Sequence, residues 1–143
     1  MPGRLFFLVL ILAGTLLPAR ANLGETVEQL VARYGKPTGY SEAGPQSPFG
    51  HLLFRVRPYE LVLFILNNQE VGARVSKVDK TDFSAAEMQT IIDAETGGGP
   101  WTPAPSPDPG EIHWARADHA TFIYDKQKHM LLLTSDAMAQ AVH

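Results

Sequence analysis

Acid–base, nucleophilic or metal chemistry in this chain would have to be built from five histidines (His51, His113, His119, His129 and His143), six serines and the carboxylates, because there is no cysteine. Without a thiol, neither a cysteine nucleophile nor a Cys-ligated metal centre is available. His113 and His119 flank a predicted turn that carries Asp118, a His/His/Asp set of the kind that binds zinc and activates water. The five-residue gap between the two histidines does not place them on one helix face, and no Glu-bearing motif accompanies them. Ordinary strand and surface histidines are the better account of them. None of the serines stands in a G-x-S-x-G elbow or an S-x-x-K pair. Asp79 and Asp82 flank a helix start, where negative charge opposes the positive end of the helix dipole. Gly97, Gly98 and Gly99 follow a helix, so they do not form the strand-to-helix loop that cradles phosphate. The expectation is a chain without catalytic residues, resident metal or cofactor.

Trp101, Trp114 and Arg116 form the best candidate binding set. Trp101 stands in a Pro/Gly-rich loop, and Trp114 and Arg116 lie two apart on the strand after it, so two indoles and a guanidinium can converge. These residue types dominate binding hot spots. The alternative is structural, with Trp114 in the core and Trp101 folded back over a sheet edge, since tryptophan is a highly buried residue on average. Arg55 and Arg57 form a second basic pair, which protection of a sheet edge explains.

The elements that must position these residues begin with LGETVEQLVARYGKP. Thr26 and Gln29 can close a capping box, and Val27, Leu30, Val31 and Tyr34 make one apolar stripe at helical spacing. Gly35 and then Pro37 end the helix. A polar connection over residues 38–48 gives way to alternation in Leu52, Phe54 and Val56. YELVLFIL is apolar on both faces, as a central strand is. Asn67 and Asn68 supply a tight turn, and alternation resumes through Val71, Ala73 and Val75. A second helix is predicted over 83–95, with Ser84 and Glu87 as its capping box and Phe83 and Met88 as its hydrophobic staple. Residues 97–110 hold five prolines and four glycines, which predicts an irregular exposed loop. Three short strands follow over 112–116, 119–125 and 129–134, and the tail from Ser135 is a short helix or frayed. The predicted fold class is α+β, with two helices packed on one face of an antiparallel sheet of about five to six strands. The order of elements suggests a weak helix-plus-meander repeat.

Residues 1–21 have the three-part layout of a signal peptide. One positive charge precedes thirteen almost wholly apolar residues, and Pro18 leads into Ala19-Arg20-Ala21 as an A-x-A cleavage site. Thirteen helical residues rise only about 20 Å, short of the roughly 30 Å hydrocarbon core. Cleavage after Ala21 leaves a single domain over 22–143 that starts at Asn22 and has no membrane anchor, in the periplasm or outside the cell. Losing Arg4 and Arg20 leaves ten basic residues against fifteen acidic ones, a formal charge of −5. Neither that charge nor any basic stripe suits nucleic acid.

The pattern Leu23-Gly24-x-Thr26-x-x-Gln29-Leu30, closed by Gly35-x-Pro37 and followed by antiparallel strands, resembles the first helix of the β-lactamase-inhibitor-protein-like and SmpA/OmlA-like small exported bacterial domains. It is also similar to the start of many small exported bacterial proteins of unassigned function. The resemblance implies a helix-plus-antiparallel-sheet module that binds a protein partner and is not an enzyme. The matching residues are scaffold, so no contact residue follows from it. The alternative is a small exported metal-dependent or hydrolytic enzyme using His113, Asp118 and His119.

Overall fold

In the computed structural model, which describes residues 22–95 and 97–143, the chain runs through one helix, four strands, a second helix, four more strands and a last short helix. The predicted signal peptide lies outside the described residues. The first helix, α1 (Val27–Tyr34), and the second, α2 (Ala85–Ala94), both have reciprocal capping boxes, Thr26 with Gln29 and Ser84 with Glu87. Gly35 takes φ +83°, and its N–H closes the last turn of α1 on the Val31 carbonyl. In α2 the C-cap is Glu95, so the three glycines belong to the loop beyond the helix.

The expectation of two helices and five to six strands is corrected to three helices and eight strands among the described residues, the strands in one antiparallel sheet. The additional strands are β1 (Gly39–Ser41) and β5 (Thr102–Ala104), which lie at the two edges of the sheet. Both are three residues long and fall in the Pro/Gly-rich stretches read as connections. Pro103 is accommodated because an edge strand needs only one side of its hydrogen-bonding capacity. The inner strands are β2 (Gly50–Val56), β3 (Tyr59–Leu66), β4 (Gln69–Lys77), β6 (Glu111–Ala115), β7 (Thr121–Asp125) and β8 (Met130–Thr134). The sheet order is β1-β2-β3-β4-β8-β7-β6-β5, so each set of four strands is a meander and the two sets join through their last strands. Asn67 and Asn68 turn β3 into β4 with φ +51° and +62°, the left-handed pair of a tight hairpin.

One face of the sheet carries the core. Leu52, Leu63, Ala73, Leu133 and Phe122 lie in one register row, and Phe54, Leu61, Val75, Leu131 and Tyr124 in the next. Leu30 of α1 and Met88, Ile91 and Ile92 of α2 pack on this face. The helix α3 (Asp136–Ala141) is attached differently. It reaches the opposite face at Gly72, where the Met138 sulfur occupies the space a side chain would take. The stripe of α1 is narrower than predicted, because Val31 is 37% exposed.

Candidate functional site

Two features of the molecule are candidates for function, a buried charged cluster and an uncovered sheet face. The cluster forms where the segment before α1 crosses the start of β4, the end of α2 and the turn after β6. The Gly24 N–H donates to the Glu70 carbonyl and the Glu70 N–H to the Glu25 carbonyl, both at 2.8 Å, so residues 24–26 run alongside the start of β4. This pairing buries Glu70, 1% exposed, with neither carboxylate oxygen in a hydrogen bond among the described residues. Glu95 is equally buried; its Oε1 accepts from the Leu23 N–H at 3.2 Å and lies 3.6 Å from Arg116 Nη1. Arg116 in turn makes a two-pronged bond to Asp118, Nε and Nη2 each 2.8 Å from a carboxylate oxygen. At the outer end, Arg33 of α1 pairs with Glu25. With its amide oxygen turned towards Arg33, Asn22 accepts from both terminal nitrogens at 3.0 and 3.1 Å.

The charges in this cluster act on one another. Burial is the main cause that raises the Glu70 carboxyl well above the usual range, reinforced by the negative charges of Glu95 and Glu25. Burial likewise pushes Glu95 up to about 7, against the pull of the Leu23 amide and Arg116. The Arg116 guanidinium holds Asp118 below its ordinary value. Two clefts flank residues 22–24, one of about 320 Å³ bordered by Glu25, Gln29 and Glu95, the other of about 280 Å³ bordered by Glu70, Arg116 and Asp136.

The structure brings Trp101 and Arg116 together and sets Trp114 on the core face. The Arg116 guanidinium lies 4.7 Å from the Trp101 ring centroid and is 6% exposed. Trp101 packs on Phe122 with ring centroids 4.7 Å apart and donates its indole N–H to the Glu95 carbonyl at 3.0 Å. Trp114, opposite Phe122 in the register, is half-buried against the same core. These three side chains build the wall of the charged cluster and the adjoining core.

His113, Asp118 and His119 are not gathered into a site. His113 Nε2 is 2.6 Å from Glu111, Asp118 is held by Arg116, and His119 has φ +67° in the turn. Among the described residues no three His, Asp or Glu side chains are arranged to hold a metal ion. Sequence reasoning missed Glu70 and Glu95, since a glutamate beside a turn or at a helix end reads as solvent-facing. Only the crossing of distant segments buries them.

The second candidate is the face of the sheet turned away from α1 and α2. Leu53, Val62, Arg74, Leu132, Ile123 and His113 stand in one register row across six strands. Leu53, Leu132 and Ile123 are half-buried there, and Arg74, at the centre of the row, is exposed and makes no ion pair among the described residues. Phe64 and Thr134 flank the row on its α3 side. The apolar character of both faces of β3, read from YELVLFIL, is what supplies Val62 and Phe64 to this surface.

No protein-family model matches the chain, and no curated protein does. Among solved structures it is similar to a cysteine-rich secretory protein from Staphylococcus aureus, at 9% identity over 81% of this chain and 45% of that one, with a TM-score of 0.46. It is similar at the same TM-score of 0.46 to an extracellular protein containing an SCP domain from Bacillus anthracis, at 10% identity over 83% of this chain and 46% of that one. The chain therefore spans less than half the length of either structure.

Proposed function

We propose that this chain is an exported, non-catalytic domain that binds another protein, in the cell envelope or outside the cell, through the part of the outer sheet face that α3 leaves open. The observation that carries the reading is the row Leu53, Val62, Arg74, Leu132 and Ile123, in which half-buried Leu53, Leu132 and Ile123 and the buried Val62 surround one exposed arginine that makes no ion pair among the described residues. Apolar area supplies the driving force and the arginine supplies orientation, the division of labour found at protein interfaces. The matching partner surface is an apolar ridge with a carboxylate opposite Arg74. The A-x-A leader supports export, and the likeness of the LGET…RYGKP segment to exported inhibitor-like domains supports a protein as the partner. Among the described residues no helix is long and apolar enough to cross a membrane.

The test is a photo-crosslinking amino acid placed at position 132 in the full chain, with Gln89 on the exposed side of α2 as the control position. A single protein adduct from 132, absent from 89 and reduced at least about tenfold by Arg74→Glu, supports the reading. No adduct, or the same adduct from both positions, overturns it.

A further inference from the structure

The cluster around Asn22 is short of positive charge. Glu25, Glu70, Glu95 and Asp118 face two guanidiniums, Arg33 and Arg116, both already engaged, and Asp136 at the start of α3 borders the cleft beside Glu70. A buried carboxylate with no partner is costly, and a cation placed against it removes that cost. Among the described residues no side chain hydrogen-bonds the Glu70 carboxylate, and Arg33 acts on it only through its charge. What does point into the cluster is the backbone of residues 22–24. The Gly24 N–H goes to the Glu70 carbonyl and the Leu23 N–H to the Glu95 carboxylate, while the Asn22 amide favours the charged form of Glu70 without a hydrogen bond of ordinary geometry. Asn22 is also the residue that the Ala19-Arg20-Ala21 sequence marks as the first after cleavage.

We infer that Glu70 is the seat of the α-ammonium group created at Asn22 when the leader is removed, so that processing supplies the missing cation and completes the cluster. Hydrolysis of the Ala21–Asn22 peptide bond adds one water, leaving a carboxylate on Ala21 and an amine on Asn22 that is protonated at neutral pH. That group offers more N–H donors than the amide it replaces, and it carries a full charge one residue before the Leu23 amide that bonds Glu95. Asn22 is held there by its side chain on Arg33 and by the following two amides. The folded domain thus distinguishes a processed chain from an unprocessed one at a single atom. This inference rests on the export reading above.

The experiment expresses the full chain with its leader, recovers the exported form and determines its N-terminus by mass spectrometry. The rate of α-amine acylation at pH 7 is then measured in the native protein and in Glu70→Gln. An α-amine has an ordinary pKa near 8, and each unit of increase makes acylation about tenfold slower. The expected result is an Asn22 terminus whose amine reacts at least about tenfold more slowly in the wild type than in Glu70→Gln. Glu95→Gln is a second variant in case Glu70→Gln does not fold. Direct titration of the Asn22 amine by NMR in the unsubstituted protein needs no variant, and a pKa at least about one unit above 8 is expected there. Equal rates in wild type and variant, or an ordinary amine pKa, overturn the inference and leave export standing. An exported chain that begins at another residue does the same. A chain that keeps its leader overturns both readings.

Discussion

Arg116 occupies space that only a glycine at position 98 leaves open. A Cβ on Gly98 would lie 2.5 Å from Arg116 Nε and 2.6 Å from its Cζ, and would overlap the Asp118 carboxylate. Gly98→Ala therefore has to push the guanidinium off Asp118 or lift the loop that carries Trp101. Either change leaves the buried Glu95 with a weaker counter-charge. The expected cost is about 1–3 kcal/mol, the range for forced overpacking, read as a lower urea midpoint. An unchanged midpoint would mean that the loop over 97–101 moves freely and that the Arg116 stack contributes little. Residue types and spacing suggested that Trp101, Trp114 and Arg116 could converge as a binding set; the structure stacks Arg116 on Trp101 and leaves Trp114 on the core face. Glu70 and Glu95 gave no such sign. Their burial comes from strand and helix ends more than twenty residues apart in sequence, and a carboxylate's own chemistry argues against it.

Elements with a strong local code were legible from sequence, and elements that exist only by pairing were not. Both capping boxes and the Asn67-Asn68 turn are written in short spacings, and each is found where those spacings place it. The edge strands β1 and β5 have no periodicity of their own at three residues each, and they become strands only because β2 and β6 offer a free edge. The same holds for α3, whose docking depends on one absent side chain in β4. A Cβ at Gly72 would overlap the Met138 sulfur and approach the Leu133 carbonyl oxygen to 2.7 Å. Gly72→Ala is expected to release α3 from the sheet and to cost about 1–3 kcal/mol. Hydrogen exchange should speed up in Asp136–Ala141 while α1 keeps its protection. Exchange unchanged in α3 would show that its attachment lies elsewhere, in the Ser135 amide bonded to the Val71 carbonyl at 3.0 Å.

Across the whole molecule, the charged cluster joins the start of β4, the end of α2, the turn after β6 and the segment before α1, so its protonation is a property of the assembled fold. Glu95 titrates near 7 when folded against 4.5 when unfolded, and Glu70 is raised as well, both chiefly by burial. Between pH 4.5 and about 7 the folded chain therefore holds protons that the unfolded chain has released, and stability falls as pH rises through that window. For Glu95 alone the fall is on the order of 2–3 kcal/mol. Asp118, held low by Arg116, acts in the opposite sense, but only as pH falls below the ordinary aspartate range. Urea denaturation of the full chain should accordingly give a higher midpoint at pH 5 than at pH 8, with the difference reduced in Glu95→Gln. A full chain no less stable at pH 8 would mean that water or a counter-ion reaches both carboxylates. The chain beginning at Asn22 is the informative comparison, because an α-ammonium against Glu70 favours the ionised carboxylate that burial alone disfavours. Its midpoint should fall less between pH 5 and 8 than that of the full chain, and Glu70→Gln should abolish the difference between the two forms.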